Sequence, residues 1–353
     1  MSSPTVQAAP FTRATVNAMR KLYPESLADK SFDNTGLLLE APGGRQGTTV
    51  LLTVDLTKAV ADEAIRRKDS IIIAYHPIIF RGLKSLTLND PQQQSLLRLA
   101  AEGISVYSPH TAIDAAPGGM ADWLCDIVTG SQIGKPGTTG VPSSLNKTPR
   151  SSYNYSQPTQ PLQQSGGNYT PLQQPIEHTR TTIHPNPSPP PGFENAGMGR
   201  LVTFSTPQFL PSLIDLIGSR LGHQPAIPVA TPQNKSIEDI TIRTVGICPG
   251  SGSGVLLGGK EVPDLLLTGE MTHHDALGAI ERGSSVISLF HSNSERGYLA
   301  NVMREKLQAQ VELEWESLQR EESLPPNEGR SSGVSVDVSC KDRDPYGVVL
   351  LQN

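Results

Sequence analysis

A chain of 353 residues is long enough for two domains. Its 34 acidic and 29 basic residues leave a net charge of −5 with no Lys/Arg cluster, which argues against a nucleic-acid surface, and no apolar run is long enough to span a membrane. The three cysteines, Cys125, Cys248 and Cys340, are odd in number and widely spaced, so they form neither a disulfide framework nor a zinc knuckle and point to a reducing compartment.

The first ten residues read as a loose tail. Residues 12–22 follow with an apolar stripe (Ala14, Val16, Met19, Leu22) that predicts an amphipathic helix. Asp33-Asn34 reads as a turn before a strand. Beyond it, strand and helix patterns alternate: strand 50–54, helix 58–67, strand 70–74, helix 91–102, strand 104–107. Units of this length imply βαβ crossovers and a parallel sheet. The second strand of this series runs into Tyr75-His76-Pro77, and the third into Ser108-Pro109-His110 with Asp114 four residues later.

Residues 131–196 change character. They hold 12 of the 30 prolines, with abundant Ser, Gln, Thr and Asn, and Pro-Leu-Gln-Gln occurs at Pro161 and again at Pro171. Such a composition buries too little apolar surface to offset the entropy of ordering it. The segment is therefore expected to be a disordered insert, and His178 and His184 are set aside from the candidate site. The expected organisation is an N-terminal α/β half (1–130), the insert (131–196) and a C-terminal α/β half (197–353).

The second half resumes with strand 201–204, helix 210–221 and strand 240–247. The Gly/Ser-rich turn Cys248–Gly254 that follows is either a tight turn or a cradle of backbone N–H groups for an anion. It lacks the Gly-Lys-Ser/Thr ending of a Walker loop. Strand 264–267 leads into Thr268-Gly269-Glu270. Thr272 and Asp275 form a capping pattern that puts His273 and His274 in a helix's first turn. Strand 285–290 then ends in His291, with Glu295 four residues on. Ser292-x-x-Glu295 reads as a capping box for a helix over 296–307. Further predictions are a strand at 311–315, a loop at 321–330 and a closing strand within 331–351.

Alone, His291 and Glu295 read as a loop residue and a helix cap. Three of the eight histidines fall at predicted strand ends, two of them with a carboxylate four residues later, and that pattern favours a metal site. Ligands of α/β sheets gather at the carboxyl ends of strands. Imidazole with carboxylate suits zinc, iron or manganese.

The ordered motifs YHP, SPHTAIDA, CPGSGSG, TGEMTHHDAL and FHSNSE, with Phe32-Asp33-Asn34-Thr35-Gly36-Leu37-Leu38 before them, resemble the Nif three-like family. Its bacterial members are known as GTP cyclohydrolase I type two homologues. The resemblance covers residues 11–130 and 197–350. It includes helix 12–22, which is therefore read as part of the fold although Arg13, Arg20 and Lys21 also suit a targeting helix. The resemblance implies an α/β fold of parallel-rich sheets flanked by helices, with up to two divalent ions at strand ends. It also implies a homo-oligomer, in several members a ring-shaped hexamer. It assigns His76, Asp114, His291 and Glu295 as metal ligands, with Glu295 bridging. By the resemblance Asp33-Asn34 borders the metal site, a reading as consistent with these residues as the plain turn. His110 reads as an outer donor or general base, since metal sites need oriented outer partners, and His273 and His274, of which His274 matches the family better, as groups that polarise or orient a substrate. Tyr75 departs from the family pattern, standing where many bacterial members have a first histidine. A phenol is a poor ligand for such ions.

Two functions follow. One is a metal-dependent hydrolase acting on a nucleotide-like or phosphate-bearing small molecule, as in the GTP cyclohydrolase I type two homologues. The other is an interaction factor for a transcription adaptor, with a structural or regulatory metal. The expected location is the cytoplasm, with nucleus and mitochondrion as alternatives.

Overall fold

Apolar runs without polar alternation mark strands covered on both faces. Residues 49–53 and 71–74 are such strands in the computed structural model, which describes residues 9–43, 47–133, 174–222, 226–259, 261–323 and 333–349. The first elements are α1 (Pro10–Leu22), β1 (Gly36–Leu39), β2 (Thr49–Thr53), α2 (Lys58–Arg67) and β3 (Ile71–Ala74). Then come α3 (Pro91–Ala101), β4 (Ser105–Ser108), α4 (Thr111–Ala115) and α5 (Met120–Thr129). After residues 134–173, which lie outside the described residues, come β5 (His178–Pro185), β6 (Gly197–Phe209), α6 (Leu210–Arg220), β7 (Val229–Ala230) and β8 (Thr241–Ser251). The chain continues with α7 (Ser253–Leu256), β9 (Leu265–Glu270), α8 (His273–Glu281), β10 (Ser285–Ser288) and α9 (Asn293–Tyr298). A π-helical turn, Leu299–Met303, then leads into α10 (Arg304–Glu322) and finally β11 (Ser335–Val338).

Two compact units result, residues 1–113 with 299–342, and residues 114–298 with 343–353. The division therefore does not follow chain order, since the C-terminal helix and strand belong to the first unit. The first unit holds a five-stranded sheet ordered β1-β4-β3-β2-β11. β4, β3, β2 and β11 pair in parallel, and β1 is antiparallel at the edge. Leu51, Ile72, Val106 and Leu99 pack with Val60, Ala61 and Ala64 of α2 in its core. Capping sets the helix starts: Thr57 accepts from the Val60 N–H, and Asp90 accepts from Gln93 N–H with Pro91 behind it. α1 packs on α10 through Phe11 and Trp315, whose rings meet edge-on at 5.4 Å. Glu63, buried in this unit, accepts from the backbone N–H and the thiol of exposed Cys340.

The second unit holds a six-stranded mixed sheet, β5-β6-β8-β9-β10-β7. Only β8, β9 and β10 run in parallel. Cys248, Leu266 and Val286 of these strands pack with Leu256 of α7 and Ala279 of α8. Buried Arg200 ties β6 to α5 by donating to Asp122 Oδ2 at 3.1 Å and to the carbonyl of Gly197 at 2.7 Å. Cys125 is buried in α5. Among the described residues, no helix is long and apolar enough to cross a membrane.

Three expectations are corrected here. β5 lies within the segment read as an insert: His178 and His184 pair with Phe204 and Met198 of β6. Their Thr and Ile neighbours suit a half-exposed strand, a signal swamped by the prolines around it. Residues 311–315 are helical, because Leu307 and Val311 bury one face of α10 while the rest stays polar. Lastly, the strand ends expected at one edge are divided between two sheets: β2, β3 and β4 pair in parallel as expected, and β10, which precedes His291, lies in the second sheet. The Pro-Leu-Gln-Gln repeats lie outside the described residues.

Candidate functional site

In the first unit, β3 and β4 carry His76 and His110 just past their carboxyl ends. Their imidazole centroids are 5.6 Å apart. Each ring is held by a carboxylate through Nδ1, His76 by Asp55 Oδ1 at 2.9 Å and His110 by Asp33 Oδ1 at 2.7 Å. Asp33 has a fully buried side chain and also accepts from the N–H and hydroxyl of Thr111. Burial alone would raise its carboxyl pKa. The hydrogen bonds from His110 and Thr111 more than reverse this and hold it below the ordinary carboxylate range. His110 itself has φ +35°, a left-handed conformation that non-glycine residues adopt at a cost of order 1–3 kcal/mol. Tyr75 is buried, its ring 5.0 Å from that of His76 and 5.4 Å from that of His110. It stands as an aromatic support beside both imidazoles.

In the second unit, β10 ends at Ser288 and the chain turns through Phe290, also left-handed at φ +64°. His291 Nδ1 pairs with Glu270 Oε1 at 3.0 Å, and its Nε2 lies 3.5 Å from Glu295 Oε1. Glu295 is 1% exposed. Gly250 lies against this pair: a Cβ there would come within 2.8 Å of Glu295 Oε1 and 3.1 Å of His291 Nε2. Its φ of +60° also favours glycine. Asp114, in α4, is buried. Burial first, then the charges of Asp114 and Glu295, push the Cys248 thiol pKa far up, so Cys248 is a packed thiol and not a nucleophile.

Two of the N–H donors in the Gly/Ser turn face inward. Gly250 N–H donates to Ser294 Oγ at 2.8 Å and Gly252 N–H to Thr268 Oγ1 at 3.0 Å, so these donors are spent internally. Ser292 does not make the expected capping box. Its hydroxyl donates to buried Asp344 at 2.7 Å and accepts from Arg296. The second capping pattern is present: Thr272 accepts from Asp275 N–H at the start of α8, and His273 and His274 follow it, both exposed.

Sequence reasoning reached Asp33, which the resemblance puts beside the metal site, and missed the other two carboxylates that orient the imidazoles, Asp55 and Glu270. Asp55 ends the β2 pattern and Glu270 ends β9, so a carboxylate just past each strand was the available signal. Fixing of Nδ1 by an acid is the usual support for a histidine that binds a metal through Nε2. His291 and Glu295 thus offer an imidazole Nε2 and a carboxylate oxygen of the kind that hold a metal ion, with Glu270 orienting the ring.

The model of the family described as Duf34/NIF3 (NGG1p interacting factor 3) matches residues 12–323. The chain belongs to this family. Among curated NIF3 relatives, the Schizosaccharomyces pombe "Protein NIF3 homolog" is 41% identical over 82% of this chain and 86% of its own length. The Saccharomyces cerevisiae "NGG1-interacting factor 3" is 36% identical over 83% and 89%. Among solved structures, a Bacillus cereus protein related to NIF3 aligns with a TM-score of 0.61 at 19% identity, covering 96% of this chain and 98% of the other. That likeness establishes a shared NIF3 fold.

Proposed function

We propose that this NIF3-family chain binds divalent metal and uses it to hydrolyse a nucleotide-like or phosphate-bearing small molecule, in the manner of the GTP cyclohydrolase I type two homologues. The observation that carries the reading is the shared build of the three strand-end histidines, each with Nδ1 held by a carboxylate. The donor chemistry fits zinc, iron or manganese: imidazoles with backing acids, two buried carboxylates, and a glycine where any side chain would crowd His291 and Glu295. In this proposal His76 and Asp114 would be ligands of one ion and His291 of a second, with Glu295 as the carboxylate that serves both. A divalent ion supplies Lewis acidity, lowering the pKa of water and polarising a phosphoryl or carbonyl oxygen.

His110 serves as general base. Asp33 takes the Nδ1 proton in a hydrogen bond, which leaves Nε2 as the basic nitrogen and steadies the imidazolium when it forms. His274, exposed at the N-terminal turn of α8, orients the substrate. The three free cysteines suit a reducing compartment, the cytoplasm. Exposed Leu83, Leu86 and Leu88 support self-association into a homo-oligomer, with the ring-shaped hexamer of relatives as its expected form.

The test is elemental analysis of the purified chain, followed by turnover on nucleoside triphosphates and phosphate esters. Stoichiometric metal and a product that both disappear in His291→Ala are expected. Protein that takes up no zinc, iron or manganese would overturn the reading. The name of the yeast relative, an interacting factor of NGG1, favours a second reading in which the metal is structural or regulatory and the ligand is a protein such as a transcription adaptor. Bound metal without turnover on any substrate would favour that alternative.

A further inference from the structure

Phe32 and Phe80 are apolar rings that folding leaves in water, 52% and 45% exposed. Their centroids are 6.3 Å apart with planes tilted by 44°. Each meets His110 edge-on, Phe32 at 6.4 Å and 88°, Phe80 at 6.3 Å and 84°. The chain on which they stand is pinned. Asp33, next to Phe32, is held by His110 and Thr111, and Asn34 donates its amide N–H to the carbonyl of Ile79, next to Phe80. Hydrogen bonds from the immediate neighbours thus fix both backbones and tie them to each other, while the two rings stay outside. Such preorganised rings lose little further freedom on binding. They offer π-faces, and His110, with Nδ1 committed to Asp33, adds Nε2 as the polar atom of the cluster. An aliphatic or purely ionic ligand would use neither ring face. Exposed Arg81 and Lys84 directly after Phe80 suit an anionic tail.

We propose that Phe32 and Phe80 form a stacking platform for a planar heteroaromatic ring beside His110, so that these two rings set the specificity of the site. The proposal rests on reading this edge as a small-molecule site, and it does not need the metal.

Calorimetric titration of the full chain in EDTA with guanosine monophosphate, and with ribose 5-phosphate as the ringless probe, tests it. Sedimentation velocity on the same samples follows self-association. The native chain should prefer the nucleotide at least tenfold. Phe32→Ala and Phe80→Ala should each weaken nucleotide binding by roughly tenfold, the scale of one base–aromatic stack, and leave ribose 5-phosphate unchanged. Phe32→Trp should keep the preference. Equal binding of the two probes, binding of neither, or a preference that survives both alanine variants would overturn the proposal. So would a changed sedimentation coefficient with unchanged nucleotide affinity, which would assign the rings to contact between copies. Because EDTA is present, absence of metal in elemental analysis would defeat the hydrolase reading and leave this result standing. Loss of the base preference would defeat the platform and leave metal binding untouched.

Discussion

The histidine-bearing strand ends of the two units follow one rule with different materials. In both, a carboxylate fixes Nδ1 and a left-handed non-glycine residue, His110 or Phe290, shapes the turn. In the first unit the surroundings are aromatic, Tyr75, Phe32 and Phe80. In the second they are backbone and buried carboxylate, with Gly250 pressed against the donor atoms. Ring walls suit a flat organic ligand, whereas a close-packed glycine beside a buried acid leaves carboxylate and imidazole donors suited to a small cation.

The largest effect should come from Glu295→Gln. It should lower metal content by roughly a hundredfold in affinity, since a neutral amide replaces a buried anionic ligand. Retention of full metal by this variant, measured by equilibrium dialysis and elemental analysis, would erase the contrast between the units. Gly250→Ala should act in the same direction through strain and crowding, with tenfold or more weaker binding, while the Asp33 carboxyl keeps its lowered pKa. Asp33→Ala should act on the other side. It removes the acceptor of three hydrogen bonds and should cost about 1–3 kcal/mol of stability, read by denaturant unfolding, with little change in metal affinity. Asp33 has a folded pKa below its unfolded value. Its stabilisation is therefore complete above the ordinary carboxylate range and is lost as pH falls through the depressed folded value. Asp33→Asn should lack that acid limb. Cys248→Ala should change turnover by no more than a few fold, as expected of a packed thiol. The smallest effect is expected from deleting residues 134–173. Ile176 N–H donates to Thr129 O at 2.9 Å, so the flanking chain already lies side by side and a short connection can close the gap. A deletion that abolished folding would show that the segment contributes to one of the units.

Much of this was legible in the sequence because it is local. The span of α2, Lys58–Arg67, follows from Thr57 and the apolar spacing, and β3 from the run Ile71–Ala74. His76, His110 and His291 were found because each stands just past such a run. What stayed hidden depends on distant partners. Asp55 orients His76 from 21 residues away and Asp33 orients His110 from 77, distances at which no spacing rule operates. Ser292 looked like a helix cap until Asp344, 52 residues on, claimed its hydroxyl. β5 was missed because pairing with β6, and not its own composition, makes it a strand.

The distribution of thiols gives the molecule a built-in reporter of motion. Cys340, in the first unit, is open to reagents, although its hydrogen bond to Glu63 raises its pKa and slows reaction near neutrality. Cys125 and Cys248 both lie sealed in the second unit, in α5 and β8. Alkylation of those two sulfurs under native conditions therefore requires that unit to breathe, so their labelling rates measure how often the packing around each sulfur opens.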